Sequence, residues 1–230
     1  MRVLLVGGAG KVGSMVRPAL EVEHDVVVFD ARPVPGLEGR NLVGDVNRDE
    51  DVVRAVQDAD VIVYMAIGTH CLIPSFDINL KGLYRTLRHG LEAGVRRFVY
   101  TSTLSVFDES FPVQPLHEGI EPVNLHPYGT SKRLGELTCE AAAALHPDAT
   151  MVILRLILPV IRKEIEDCRR KNVLSMAHAI APRDLDRLLL AAIACTQPGA
   201  HIVYASSDLE GTVISTTRAT ELLGWKPEGR

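Results

Sequence analysis

Short, almost wholly apolar runs alternate along the chain with stretches whose apolar residues recur every three to four positions. The runs are "RVLLVG" (2–7), "DVVVFD" (25–30), "NLVGDV" (41–46), "ADVIVYMA" (59–66), "RRFVYTST" (96–103) and "ATMVILRLI" (149–157). They are rich in Val and Ile and apolar at odd and even positions alike. That predicts strands buried on both faces rather than strands with one wet side. Between them the spacing predicts helices over 11–21, 49–58, 77–93 and 129–145. Such alternation defines an α/β chain with a doubly wound parallel sheet and right-handed crossovers. Two stretches break the rhythm. The Pro-rich segment from Phe107 to Pro127 is too long for a plain connection. After Pro159 the pattern weakens into a charged segment (162–171), an apolar helix (184–194), a short strand (201–206) and a closing helix (215–225). One domain across 1–230 is expected, with 159–230 contributing a small appendage.

Composition changes this picture little. The chain has 230 residues, 47% hydrophobic and 23% charged, enough for one sizeable core. The net charge of -4 is spread along the sequence, so no basic block points to nucleic acid. Cys71, Cys139, Cys168 and Cys195 form no C-x-x-C pair and read as reduced, buried thiols. "MRVLLVGGAG" is too short and glycine-rich for a signal peptide, and the longest apolar run, 188–195, is far short of a membrane span. A soluble cytoplasmic protein with no nucleic-acid or membrane partner is expected.

Candidate chemistry begins with "VLLVGGAGKVG", which sets Gly7, Gly10 and Gly13 at G-x-x-G-x-x-G spacing after the first strand and at the mouth of the first helix. A pyrophosphate site needs that arrangement: a tight turn, close backbone approach, and helix-start N–H groups aimed at the phosphates. The plainer reading is a glycine-rich turn without ligand. Asp30 ends the second strand at the distance where a carboxylate accepts from an adenosine ribose and repels a 2′-phosphate, favouring NAD over NADP. Arg32 tempers this, since an arginine there accommodates that phosphate. Further on, "HPYGTSKRLGE" (126–136) sets Tyr128 and Lys132 on one helix face. Either the two snorkel on a surface helix, or the cation lowers the phenol's pKa so that it works as an acid or base near neutrality.

Together "GGAGKVG", "FDAR", "GDV" (44–46), "YMAIG" (64–68), "NLKGLYRTLRHGLEAGVRRFVYTSTLSVF" (79–107), "YGTSK" (128–132), "LRLILP" (154–159) and "LLGWKP" (222–227) resemble the extended short-chain dehydrogenases, the NAD-dependent epimerase/dehydratase family. The ending "ATELLGWKP" looks most like the uronate dehydrogenase branch. The resemblance implies a Rossmann-type sheet with a small C-terminal substrate-side extension. It implies that Gly7, Gly10, Lys11 and Val12 hold the pyrophosphate, that Asp45 and Val46 flank the adenine, and that Met65, Ala66 and Ile67 line the cofactor cleft. Asn79 would lie in the helix beneath the site, and Thr101 and Leu156 would border the cofactor. Thr103 falls at the catalytic hydroxyl, with Ser102 as the neighbouring alternative. Tyr128 would take the proton of a substrate hydroxyl while Lys132 lowers its pKa and holds the nicotinamide ribose. The implied function is hydride transfer between NAD and a small sugar, sugar acid or polyol, with NAD-dependent epimerisation or dehydration as the second enzyme reading and a non-catalytic dinucleotide sensor as the third. A homodimer through helices 77–93 and 129–145 is also implied.

The chain departs from the family at the substrate. "LRLILP" gives Leu156, Ile157 and Leu158 where relatives carry small or polar residues, and the downstream arginine is absent from its place. Arg162, Lys163, Arg169, Arg170 and Lys171 lie nearby, though such a run is usually a solvated face. His70, His117, His126 and His178 fall in or near loops, and no His/Cys/Asp set has metal-ligand spacing. No metal is expected.

Overall fold

The computed structural model of the chain describes residues 1–68, 75–108, 115–159 and 179–229. Seven strands, β1 (Arg2–Val6), β2 (Asp25–Asp30), β3 (Asn41–Val43), β4 (Val61–Tyr64), β5 (Arg97–Thr103), β6 (Thr150–Leu156) and β7 (Gly199–Ala205), form one sheet in the order β3-β2-β1-β4-β5-β6-β7. Every pairing is parallel. Among the described residues the α-helices are α1 (Lys11–Glu23), α2 (Asp49–Val56), α3 (Leu83–Glu92), α4 (Pro127–Leu145), α5 (Pro182–Ala194) and α6 (Thr217–Leu223).

Strand periodicity decides which helix covers which face. Val3 and Leu5 face one way, into a cluster with Val16 and Leu20 of α1, Leu185, Leu188 and Leu189 of α5, and Ala219 of α6. Leu4 and Val6 face the other way, onto Val52 and Val56 of α2, Leu83 and Leu87 of α3, and Cys139 and Ala143 of α4. The two apolar faces foreseen in each strand thus belong to two separate cores. Strand order reverses between β1 and β4, and the crevice beyond their carboxyl ends is where such sheets bind ligands.

The C-terminal part adds to the same sheet. β7 extends it, α5 packs on α1, and α6 lies beside β7. Residues 206–216 stand beyond the carboxyl edge, where Ile214 bridges Leu116 of the Pro-rich stretch. β7 is an edge strand, and an open edge invites pairing with another chain. Here Glu118 Oε1 accepts from Tyr204 N at 3.2 Å and Arg218 Nε donates to Ile202 O at 3.0 Å, so side chains occupy that edge.

Two elements differ from their sequence pattern. The run 41–46 stops at Val43, because Asp45 N donates to Asp51 Oδ2 and Asn47 N to Asp45 Oδ1, turning the chain into α2. The helix expected over 77–93 opens as a π-helical turn, Asp77–Gly82, before α3. Buried Tyr64 donates its hydroxyl to Ile78 O, and Gly82 packs on that hydroxyl and on Val46. The phenol occupies the carbonyl and holds the wider turn open. Cys71, Cys168, His70, His178, Arg162, Lys163, Arg169, Arg170 and Lys171 lie outside the described residues. Among those described, no helix is long and apolar enough to cross a membrane, and Cys139 and Cys195 are free thiols.

Candidate active site

The glycine loop closes tightly after β1. Gly7 adopts a φ of 82°, its N–H donates to Phe29 O at 2.8 Å, and Gly10 N returns to Gly7 O at 3.0 Å. A Cβ at Gly7 would run into the backbone of Ala66, and one at Gly13 into Gly8, so close approach requires both glycines. α1 then begins at Lys11 with no side chain capping its first turn, which leaves main-chain N–H groups for an anion. Val12 packs its side chain on the core and offers its backbone, while Lys11 is exposed.

A cavity of about 270 Å³ opens beside this loop and brings together Gly7, Gly10, Asp30, Arg32, Asp45, Val46, Met65, Ala66 and Ile67. Asp30 Oδ2 accepts from Ala9 N at 3.0 Å and Oδ1 from Arg32 N at 3.0 Å. The Arg32 guanidinium folds back to donate to Ala9 O at 2.9 Å. Asp30 thus braces the loop as well as facing the cavity. These features fit a dinucleotide: a cradle that any Cβ would fill, open helix-start donors, and a carboxylate at the end of β2.

The second half of the site lies where β5 meets α4. Tyr128 stands in the first turn of α4, with the Thr103 hydroxyl at the end of β5 close enough to act on its phenol; that hydroxyl accepts from Ser105 N at 3.1 Å. Asn124 fixes that meeting. Its Nδ2 donates to Ser105 O at 2.8 Å and Phe107 O at 2.9 Å, its Oδ1 accepts from His126 N at 2.7 Å, and its O accepts from Thr130 Oγ1. Gly129 sits against Ser105 O and Asn124, where a Cβ would not fit. Ser102 turns to the other face and donates to Glu136 Oε1 at 2.6 Å. Of the two hydroxyls left open by the sequence, Thr103 is the one that meets Tyr128.

Lys132, buried, donates from Nζ to Thr101 O at 2.8 Å and lies 5.0 Å from the Tyr100 ring centroid. Burial pulls its pKa down to about 8, against the opposing pull of Glu136. The Tyr128 phenol is pushed above its usual range by burial, with the neighbouring Thr103 hydroxyl acting the other way. The expected lowering of Tyr128 by Lys132 is therefore corrected: burial dominates at the phenol, and the ammonium is turned onto the Thr101 carbonyl.

The remaining sequence candidates lie deeper. Asn79 is fully buried, accepting from Gly68 N and donating to Ser131 Oγ, which in turn donates to Tyr128 O. Its side chain is spent on tying the β4 loop to α4. Thr101 donates its hydroxyl to Tyr64 O, and Leu156 packs in the core at the end of β6. His117 Nδ1 accepts from Gly119 N, and His126 is exposed. Among the described residues no three His, Cys, Asp or Glu side chains gather as a metal site.

The sequence reading missed a buried cluster beneath Tyr128 and Lys132. Arg155 of β6 grips Glu136 of α4 with two hydrogen bonds, Nε to Oε1 at 2.9 Å and Nη2 to Oε2 at 2.8 Å, and both side chains are essentially inaccessible. The signal was present: Glu136 follows Tyr128 and Lys132 at spacings of eight and four, so it shares their helix face. Asn124 carries no such signal, because a loop asparagine has no period.

With this geometry in hand, the comparisons are direct. The model of the NAD dependent epimerase/dehydratase family matches residues 3–182. The chain belongs to that family. It is 37% identical over 119 residues to a 3-beta-hydroxysteroid dehydrogenase of Mycolicibacterium neoaurum, covering 46% of this chain and 32% of that protein. It is 23% identical over 247 residues to the L-arabinose 1-dehydrogenase (NAD(P)(+)) of Haloferax volcanii, covering 98% and 96%. The glucuronic acid dehydrogenase of Chromohalobacter salexigens superposes with a TM-score of 0.84 at 22% identity, covering 99% of this chain and 84% of that one. The chain spans less than half the length of several curated relatives it matches, 32% to 42%. The expected family and sheet are thereby borne out, and NAD is the cofactor that the family's description carries.

Proposed function

We propose that the chain is an NAD-dependent oxidoreductase acting on the hydroxyl or carbonyl of a small sugar, sugar acid or polyol, with Thr103, Tyr128 and Lys132 as its catalytic residues. The observation that carries this reading is the placing of Tyr128, in the first turn of α4, beside the Thr103 hydroxyl at the end of β5, with Lys132 buried one helical turn away. Gly7, Gly10, Lys11 and Val12 would hold the pyrophosphate and Asp30 the adenosine ribose. Asp45, Val46, Met65, Ala66 and Ile67 would line the cofactor cleft. Bound NAD supplies the hydride acceptor and a positive charge in its oxidised form. Thr103 orients the substrate oxygen, and Tyr128 takes its proton.

The likeness to the arabinose dehydrogenase, which spans nearly all of both chains, supports the carbohydrate class. The second reading, an epimerase or dehydratase that uses NAD transiently, is supported by UDP-glucose 4-epimerases among the relatives, one 27% identical over 183 residues. A panel of sugars, uronates and polyols assayed for NADH tests the two. Accumulating NADH supports the dehydrogenase. Tightly held NAD with no net NADH and an isomerised or dehydrated product supports the other.

We also infer a cytoplasmic homodimer. A groove of about 380 Å³ runs between α3 and α4, lined by Tyr84, Leu87, Leu91, Ala141, Ala142 and Leu145. Tyr84, Leu137 and Leu145 are exposed there or nearby. A self-complementary pairing of α3 and α4 with their copies would cover it. Light scattering that gives the mass of one chain at micromolar concentration would contradict the dimer.

A further inference from the structure

Glu136 is fully buried, and α4 could have carried an apolar residue at its position. A buried ion pair is no efficient way to stabilise a core, since desolvation offsets most of the attraction. Two strands nevertheless donate to this carboxylate, and a third braces the arginine that holds it. Ser102 of β5 donates to Oε1 at 2.6 Å, and Arg155 of β6 donates to both oxygens. Tyr204 of β7 accepts from Arg155 Nη1 at 3.2 Å, and the Arg155 guanidinium stacks 5.5 Å from both the Tyr204 and Phe107 rings. Arg133 of α4 reaches Oε2 from the rim at 3.2 Å. The carboxylate cannot move, and it is fixed one helical turn from Lys132 on the same buried face.

Among the described residues, little else around Lys132 balances its charge. Tyr64 from β4, Tyr100 from β5 and Cys139 from α4 are all pushed up by burial, so none of them carries an anion in the working pH range. Tyr128 is pushed up likewise. Lys132 has the Thr101 carbonyl, the Tyr100 ring face and the Glu136 carboxylate.

Resting on the reading of Lys132 given above, we propose that Glu136 is a positioning residue of the reaction: clamped by Arg155 and Ser102, it keeps the Lys132 ammonium charged and seated on the Thr101 carbonyl. The Ser102–Glu136–Arg155 cluster then serves the active site through Lys132, as well as pinning α4 to β5 and β6. Glu136 touches neither substrate nor cofactor.

The test follows Lys132 itself, by the pH titration of its Cε signal in protein carrying 13C-labelled lysine, with the signal assigned by its loss in Lys132→Met. Glu136→Gln keeps the shape and an acceptor for Ser102 but removes the charge. Because it leaves Arg155 buried without a counter-ion, Glu136→Gln/Arg155→Met is measured beside it, which removes both charges. In whichever variant melts cooperatively, the Lys132 midpoint should fall by about 1–3 pH units from its wild-type value. NADH formation should fall with it near neutral pH and partly recover toward acid, where Lys132 regains its proton. A Lys132 midpoint unchanged in the folded double variant overturns the proposal, since Glu136 would then be a purely structural partner of Arg155. Tyr128→Phe separates the two levels. If it is inactive while the midpoint is unchanged, the positioning role fails and the functional reading stands. If it is fully active, the functional reading itself fails.

Discussion

The Lys132 ammonium donates to the Thr101 main-chain oxygen at 2.8 Å, across the gap between α4 and β5. That bond ties the helix carrying Tyr128 to the strand that ends in Thr103. The two groups proposed to share a substrate oxygen are thus held by a third group that is itself part of the site. Asn124 supports the same junction from the loop side. Together they make the Tyr128–Thr103 distance a property of packed backbone rather than of one flexible side chain.

Asn124→Ala removes three hydrogen bonds at once, those to the Ser105 and Phe107 carbonyls and the one from the His126 N–H, and loosens the main-chain oxygen that accepts from Thr130. The half-buried Phe107 carbonyl left unpaired costs at most about 1–3 kcal/mol, and the Ser105 and His126 groups, which solvent can reach, cost less. Turnover should drop because the start of α4 loosens against β5, while NAD affinity changes less, since the glycine loop is remote in sequence and on other strands. Calorimetric NAD binding beside steady-state rates checks this, and loss of affinity without loss of turnover would refute it.

Cofactor choice should follow Asp30. The carboxylate faces the cavity at the end of β2 and braces Ala9 and Arg32. NAD should bind more tightly than NADP, and Asp30→Ala should narrow that gap by weakening NAD and freeing Arg32. Titration of both cofactors against both proteins decides it. Tighter NADP binding by the wild type would assign the ribose pocket to Arg32 instead.

Lys132 also makes a prediction about stability. Its folded pKa of about 8 lies below the 10.5 usual for a lysine. A group depressed on folding contributes stability that is present above its unfolded pKa and is lost as pH falls through its folded pKa. The stability of the wild type relative to Lys132→Met should therefore rise between about pH 8 and pH 10.5. Urea melts of both proteins across that window measure the difference. A gap independent of pH would mean that Lys132 titrates in the fold as it does in the unfolded chain.

The C-terminal tail should depend on Asp184. This fully buried carboxylate of α5 accepts from Ser207 Oγ at 2.7 Å, Arg187 at 2.8 Å, and the N–H groups of Glu228 and Gly229, both at 2.8 Å. Its own carbonyl accepts from Trp225 Nε1. Asp184→Ala should cost at least about 2 kcal/mol, because several buried donors lose one acceptor. A urea midpoint equal to that of the wild type would show that the tail is not held there.

The strands were legible because most carry a short apolar run that fills both faces of the sheet, and the glycine loop because its chemistry needs glycines at fixed places. Val3 and Leu4 show what the pattern could not say: both read as buried, yet they enter different cores. The π-turn at 77–82 was invisible because it depends on the Tyr64 hydroxyl, which arrives from a different strand. Tyr128 and Lys132 were legible from their spacing, but the direction of the Tyr128 pKa was not, since burial is a property of the folded site. Glu136 was missed for a related reason. A glutamate on a helix reads as solvated until Arg155 is found opposite it, nineteen residues along the chain on the next strand.

Tyr128→Phe bears most directly on the central claim. The phenol oxygen is the atom assigned to the proton, and the ring alone preserves the packing of the α4 start. With a substrate found by the panel, NADH formation should fall about 10²–10⁴-fold, with NAD binding and melting temperature close to those of the wild type. Full activity of Tyr128→Phe would contradict the mechanism, whatever the substrate.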